Sequence, residues 1–302
     1  MTAQIIDGKQ VADDMQAELK AEVAELKKKG IVPGLAVVLV GEDPASKSYV
    51  TAKERKCEEM GIYSDDNRLA ADTSQEKLMK LIKKLNNDPK INGILVQLPL
   101  PKGLNEAEVL LAIDPAKDVD GFHPVNVGKM VVGEKAFLPC TPHGVIQLLI
   151  RSGVKLEGAE VVIVGRSNIV GKPLANMLIQ KNPTGNATVT VCHTRTKDLS
   201  YHTKRADIVI AAAGRPNTIT ADMVKDGVVV IDVGVNRVGE KPSKKDPNRM
   251  VAILKGDVDF EAVKEKASLI TPVPGGVGPM TITMLLYNTV ESAKRAAVID
   301  EN

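Results

Sequence analysis

Several polar residues in the first half of the chain have types and spacing suited to proton chemistry beside a flat ring. Tyr49 and Lys53 are four residues apart, so on a helix both point the same way. A tyrosine and a lysine on one face can grip a ring and bring a proton donor beside it. The same spacing also suits a solvated helix, since Lys56, Glu58 and Glu59 follow. Gln97 closes the apolar run Gly93-Ile94-Leu95-Val96 and precedes Leu98-Pro99-Leu100-Pro101, whose prolines forbid helix. It can face a ligand or merely cap a sheet. Asp118 and Asp120 flank Val119 before Gly121, a setting where solvated turn acids are also at home.

The second half offers a site for phosphate. Val161-Val162-Ile163-Val164 reads as a buried strand, Gly165 as its sharp end, and Gly171-Lys172-Pro173 as the opening of a helix. A glycine turn aimed at a helix N-terminus leaves backbone N–H groups facing an anion, here the pyrophosphate of a dinucleotide. The turn lacks the middle glycine of the usual pattern, so an ordinary strand–turn–helix fits it too. The next strand ends in His193-Thr194-Arg195-Thr196, where NAD-specific folds carry an acid. Hydroxyl and guanidinium donors suit an extra phosphate, and Arg166 can add a second charge, so the cofactor reads as NADP. Arg195 also fits a solvated loop. Pro272-Val273-Pro274-Gly275-Gly276-Val277-Gly278-Pro279 is stiff and lets backbone approach a ligand closely. His123, His143, His193 and His202 share no ligand spacing, so no metal is assigned.

These residues need elements to hold them. Asp7 caps a helix from about Lys9 to Lys29, and Gly30 stops it. Leu35 to Val40 is a buried strand, Asp43-Pro44 opens a helix ending at Met60, and Thr73-Ser74-Gln75-Glu76 is a capping box before a helix to about Asn86. Gly93 to Gln97 is a strand and Asn105 to Ile113 a short helix. Thr141 caps a helix with Pro142 at its first position, ending near Ser152. After the glycine turn a helix runs to about Asn182. Strands follow at Thr188–Cys192, 208–211 and 228–232, with short helices between, then a last helix from Met280 to Ala297. Gly239 to Arg249, with Lys241, Lys244 and Lys245, reads as an exposed loop or hairpin. Alternating helices and strands give an α/β chain with mostly parallel sheets, whose ligands collect beyond the carboxyl ends of the strands.

Composition bounds the rest. The 302 residues suffice for about two domains, and 43% hydrophobic with 26% charged residues describes an ordinary globular chain. A net charge of +2 and only 2% aromatic residues argue against nucleic-acid surfaces. Cys57, Cys140 and Cys192 are odd in number and far apart, which suits small buried thiols in a reducing compartment. No secretion signal and no bilayer-spanning run is expected, so the chain reads as cytoplasmic, without a membrane partner.

Taken together, the motifs resemble the bifunctional methylenetetrahydrofolate dehydrogenase–cyclohydrolases. The resemblance rests on Ser46-Lys47-Ser48-Tyr49-Val50 with Lys53, the Gly93–Pro101 stretch, Lys117-Asp118-Val119-Asp120-Gly121-Phe122-His123-Pro124 and Pro139-Cys140-Thr141-Pro142. It continues through Gly165–Pro173 and Pro272–Thr281, and so covers essentially the whole chain. It implies a cleft between two α/β domains, residues 1–139 with 280–302 binding folate and residues 140–279 forming a Rossmann unit. It implies oxidation of 5,10-methylene-tetrahydrofolate with NADP and hydrolysis of the methenyl product to 10-formyl-tetrahydrofolate, in one-carbon metabolism and purine biosynthesis, by a homodimer. The family's catalytic lysine, tyrosine, glutamine and pterin-binding aspartate match Lys53, Tyr49, Gln97 and Asp120. Leu98, Pro272, Gly275 and Gly276 are the further substrate contacts it implies. Gly165, Arg166, Ser167, Ile169, Gly171, Thr194, Arg195 and Val235 are the implied cofactor contacts. A shikimate-type NADP dehydrogenase would not need Tyr49 and Lys53 together with Gln97 and Asp120, and a regulatory dinucleotide-binding module could lose Lys53.

Overall fold

The computed structural model describes residues 2–242 and 250–300. The strands are β1 (Gln4–Ile5), β2 (Gly34–Val40), β3 (Tyr63–Leu69), β4 (Gly93–Val96), β5 (Glu160–Val164), β6 (Thr188–Cys192), β7 (Ile208–Ala211), β8 (Val229–Asp232), β9 (Asn236–Pro242), β10 (Met250–Lys255) and β11 (Leu269–Ile270). The helices are α1 (Gly8–Lys28), α2 (Pro44–Met60), α3 (Gln75–Asn86), α4 (Glu106–Ala112), α5 (Pro124–Val132), α6 (Cys140–Arg151), α7 (Gly171–Leu178), α8 (Leu199–Thr203), α9 (Phe260–Val263) and α10 (Val277–Asp300).

Two compact units emerge. One comprises Met1–Ala12 with Thr141–Thr281, the other Asp13–Cys140 with Ile282–Asn302. The sequence reading gives the first residues to the folate-binding half. Here β1 pairs in parallel with β11, Gln4 beside Leu269, which ties the N-terminus to the sheet of the other unit.

The unit of Asp13–Cys140 is built on a three-stranded parallel sheet, order β3-β2-β4. Every residue of β2 and β4 is buried, which is why both read as unbroken apolar runs. Ala36, Val38, Ile94 and Val96 pack against Leu78, Ile82 and Leu85 of α3 and Val109 of α4. Caps define the helices: Asp43 accepts from the Ser46 N–H at α2, Ser74 from the Lys77 N–H at α3 and Asn105 from the Glu108 N–H at α4. Each such cap is worth about 1 kcal/mol. Gly61 ends α2 at φ 75°, a left-handed angle that favours glycine.

The other unit carries a six-stranded parallel sheet, order β1-β11-β8-β7-β5-β6. Its core includes Val162, Val164, Val209, Ala211, Val230 and Ile270. Helix α7 ends at Leu178 rather than near Asn182. The Asn186 N–H turns back to the Gln180 carbonyl, and Pro183 cannot donate within a helix. Helix α6 begins at Cys140, one residue before the expected cap, and α10 begins at Val277. The polar segment after β8 is an antiparallel ribbon of β9 and β10. Its connection, 243–249 with Lys244 and Lys245, lies outside the described residues.

Candidate active site

On α2, Asp43 fixes the helix start and so the rotation of all that follows. Tyr49 and Lys53 share a face but not an environment: Tyr49 is 52% exposed and Lys53 only 8%. The lysine is therefore not a solvated surface group. Its Nζ donates to Gln97 Oε1 at 3.0 Å, and Gln97 Nε2 donates to the Leu98 carbonyl at 2.8 Å. Gln97 thus has one amide end tied to its own chain and offers the other to the lysine, which settles its O and N assignment by bonding.

Asp120 is the charged neighbour of this pair. Burial pushes its carboxyl up to about 6; the Lys53 ammonium pulls the other way and Asp118 adds to the rise. Burial likewise pushes Lys53 below the ordinary lysine range, with Asp120 opposing. Both groups are thereby drawn toward their neutral forms, which makes a proton movable between pH 6 and the lysine's lowered range.

Asp118 is not a solvated turn acid. It is 2% exposed, and its carboxylate accepts from the Phe122 N–H at 3.2 Å, the His123 N–H at 2.8 Å and Asn126 Nδ2 at 2.8 Å. It fastens the loop whose next acid, Asp120, is partly exposed. Asp118 shapes; Asp120 is presented. The sequence reading does not single out Cys140 as a neighbour of Lys53 and Asp120. Its thiol is 2% exposed and held well above the ordinary thiol range by burial, with the Asp120 charge adding to the rise. The Pro139-Cys140-Thr141-Pro142 motif was the available signal, but it marks a helix start as readily. Cys57 and Cys192 are also buried.

The glycine turn lies in the other unit. Gly165 has φ 137°, and a Cβ there would stand 2.0 Å from the Ala212 carbonyl oxygen; a Cβ at Gly171 would stand 2.1 Å from the Gly165 carbonyl oxygen. Ser167 Oγ accepts from the Val170 N–H at 3.1 Å, closing the turn, and no side chain caps α7. This backbone cradle fits a pyrophosphate. Arg166, Ser167, Ile169, Thr194 and Arg195 are all exposed around it, as is Val235 after β8. Neither Arg166 nor Arg195 has a carboxylate within ion-pair distance among the described residues. The loop after β7 is held by buried Asp257, whose Oδ2 accepts from the Ala213 N–H at 2.6 Å and the Gly214 N–H at 2.8 Å. Buried Asp232 in turn accepts from the N–H groups of Gly234, Asp257 and Val258. These two carboxylates went unnoticed in the sequence, where each is one acid near a glycine.

Tyr49, Lys53, Gln97, Leu98 and Asp120 therefore belong to one unit. Pro272, Gly275 and Gly276 belong to the other, with all the expected cofactor residues. The Gly275 carbonyl accepts from the Lys9 N–H at 3.1 Å, and Gly275 has φ 104°. Among the described residues no helix is long and apolar enough to cross a membrane, and no cluster of His, Cys, Asp and Glu could hold a metal ion.

Comparison with known proteins agrees with both units. A family model described as "Tetrahydrofolate dehydrogenase/cyclohydrolase, catalytic domain" matches residues 6–120, and its companion "NAD(P)-binding domain" matches residues 139–297. The chain is 61% identical over 297 residues to the bifunctional protein FolD of Dehalococcoides mccartyi (strain CBDB1), covering 98% of each. The crystal structure of the bifunctional enzyme FolD from Campylobacter jejuni superimposes with a TM-score of 0.89 at 50% identity, over 97% of this chain and 99% of that one. The Trypanosoma brucei FolD, crystallised with NADP cofactor and an inhibitor, gives a TM-score of 0.91 at 38% identity, over 98% of this chain and 99% of that one.

Proposed function

The chain belongs to the tetrahydrofolate dehydrogenase/cyclohydrolase family, and from that premise we propose how its residues divide the two reactions. It oxidises 5,10-methylene-tetrahydrofolate to the 5,10-methenyl form with NADP and hydrolyses that cation to 10-formyl-tetrahydrofolate. NADP, when bound, accepts the hydride. Because the substrate nitrogens supply the electrons, the residues need only orient the methylene carbon in this step. The hydrolysis needs more. A water must lose a proton as it attacks the methenyl carbon, and the departing ring nitrogen must gain one, which is general acid–base work.

Lys53 is the group proposed for that work. The observation that carries the reading is its buried Nζ, 3.0 Å from Gln97 Oε1 and lowered in basicity by burial. As the neutral amine it takes the water's proton; as the ammonium it returns one to the ring nitrogen. Gln97 aims it. Asp120 accepts hydrogen bonds from the amidine edge of the pterin, Tyr49 packs against the ring, and Leu98 lines the same face. The Pro272–Gly276 turn offers backbone to a ligand, with no side chain in the way at Gly275 and Gly276. Gly165 and Gly171 cradle the pyrophosphate, Ser167, Ile169 and Val235 border it, and Arg166, Thr194 and Arg195 face the 2′-phosphate. A homodimer in the cytoplasm, supplying formyl groups for purine biosynthesis, completes the reading.

The test follows NADPH and the methenyl intermediate separately in one reaction. Lys53→Met keeps the stem and removes the proton. It should lose hydrolysis by about 10²–10⁴-fold while NADPH formation survives in part, so that methenyl-tetrahydrofolate accumulates. Hydrolysis at the parent rate would remove Lys53 from the mechanism.

A further inference from the structure

The loop that presents Asp120 is gripped by a residue far from it in sequence. Asn288 is buried on α10. Its Nδ2 donates to the Val119 carbonyl at 2.8 Å and to the Leu138 carbonyl at 3.0 Å, and lies 3.8 Å from Cys140 Sγ. A side-chain amide has two N–H protons, so the two carbonyls engage both and fix its orientation. Cys140 Sγ donates to the same Val119 carbonyl at 3.4 Å. The Val119 carbonyl belongs to the peptide plane that enters Asp120. Turning that plane turns the carboxylate.

Packing closes off other positions for this segment. Val119 is wholly buried. A Cβ at Gly93 would fall 2.7 Å from Val119 Cγ1 and 3.2 Å from Oγ1 of Thr289, the residue next to Asn288. After Asp120, Gly121 has φ 73°, and a Cβ there would fall 2.7 Å from the Leu138 carbonyl carbon. The residues on both sides of Asp120 thus rest on strips of chain held by one amide: Val119 directly, and Gly121 through the backbone at Leu138.

We propose that Asn288 is a positioning residue for folate binding, setting where the Asp120 carboxylate stands through the Val119 carbonyl, the Leu138 carbonyl and Cys140. The inference rests on the reading of Asp120 as the pterin anchor. It differs from a plain core role in what it predicts. An asparagine that only satisfies buried carbonyls affects stability. One that aims Asp120 affects folate affinity, and does so only while Asp120 is present.

A double-mutant cycle separates these. Asn288→Leu removes both donors at similar volume. In the otherwise unchanged protein it should raise KM for methylene-tetrahydrofolate and for methenyl-tetrahydrofolate alike, by about tenfold, with NADP affinity within about twofold of the parent. In an Asp120→Ala background the same change should add less than about twofold. If the two effects multiply, Asn288 does not act through Asp120 and the proposal falls. It falls too if Asn288→Leu lowers the melting temperature and leaves both KM values alone. If Asp120→Ala itself leaves KM unchanged, the failure is that of the anchor reading, whatever Asn288 does. Should Asn288→Leu not fold, Asn288→Ser retains a hydroxyl able to serve one carbonyl. The same cycle is then read, with a smaller rise in KM that again vanishes when Asp120 is absent.

Discussion

At the scale of single residues, the candidate site holds two oppositely charged groups where burial works against both charges. Lys53 and Asp120 attract, yet burial draws each toward neutrality. Two pH dependences follow. On the proposed reading Asp120 must be ionised to accept from the pterin edge, and burial pushes its carboxyl up to about 6. The KM for methylene-tetrahydrofolate should therefore climb as pH falls through about 6, by up to about tenfold per unit, and Asp120→Asn should flatten that climb while raising KM throughout. A flat parent profile between pH 5 and 8 would contradict the assignment. Hydrolysis, on the same proposal, needs Lys53 as the free amine to begin. Its rate at low substrate should fall as pH drops through the lysine's lowered range, and the dehydrogenase rate should not share that limb. The nearest acids illustrate what spacing alone conveys. Asp118 and Asp120 look alike in sequence, flanking one valine. Only the backbone turn reveals that three donors converge on Asp118, while Asp120 stays partly exposed.

At the scale of elements, two glycines let the turn after β5 fold tightly against neighbouring backbone. Gly165→Ala and Gly171→Ala would each place a methyl within about 2 Å of a carbonyl oxygen. Strain of this sort costs of order 1–3 kcal/mol, so NADP titration should show binding weaker by about five- to 150-fold in either variant. Parent-like affinity would show that the turn yields. In the turn after β6, Thr194→Asp puts a charge where the 2′-phosphate is expected. A charge-assisted bond to phosphate is worth about 1.5–3 kcal/mol, so NADP should weaken by about tenfold or more relative to NAD; equal losses for both would move the 2′-phosphate elsewhere. Strands such as β2, β4, β5 and β7 were legible because burial on both faces writes an apolar run. β3 was not. Tyr63-Ser64-Asp65-Asp66-Asn67-Arg68-Leu69 is an edge strand whose order comes from backbone pairing with β2, from Gly34–Tyr63 to Val40–Leu69, and its side chains keep no apolar alternation. The two-residue strands β1 and β11 leave no period to read, and α5 was hidden behind a turn that ends in proline. Caps were read in part: Asp7 accepts from the Lys9 and Gln10 N–H groups and Asp43 from the Ser46 N–H, but the box expected to start at Thr73 starts one residue later, with Ser74 as the cap, and α6 begins at Cys140, before the expected cap Thr141.

At the scale of the whole molecule, the two sets of residues should be separable by ligand. Saturating NADP at about 100 times its Kd stabilises by about 2.7 kcal/mol, and Lys53→Met or Asp120→Ala should keep that gain in thermal melts while Gly165→Ala loses a large part of it. Melts in which all three variants lose a similar share of the gain would mean the residues do not divide this way. Acid stability carries a second signature. Burial pushes the Asp232 carboxyl up to about 6. Because this folded value lies above the unfolded one, its stabilising contribution is fully present below about pH 4 and fades as pH rises through about 6. Asp232→Asn should therefore flatten the change in melting temperature between pH 4 and 7 relative to the parent.

The pairing of β1 with β11 has a consequence for how the chain emerges from the ribosome. Strands β2, β3 and β4 lie between Gly34 and Val96, so their sheet can assemble while most of the chain is still unmade. The larger sheet cannot be finished at that stage. Its first strand leaves the exit tunnel at residues 4–5 and must wait until residues 269–270 have been translated before its neighbour exists. At about 5–20 residues per second that delay is of order 10–50 s, during which the N-terminal strand is an unpaired edge open to other partners. Its brevity, two residues with a lysine soon after at the start of α1, keeps that edge a poor template for aggregation. Vectorial synthesis thus favours a first strand just long enough to close the sheet and too short to recruit a stranger.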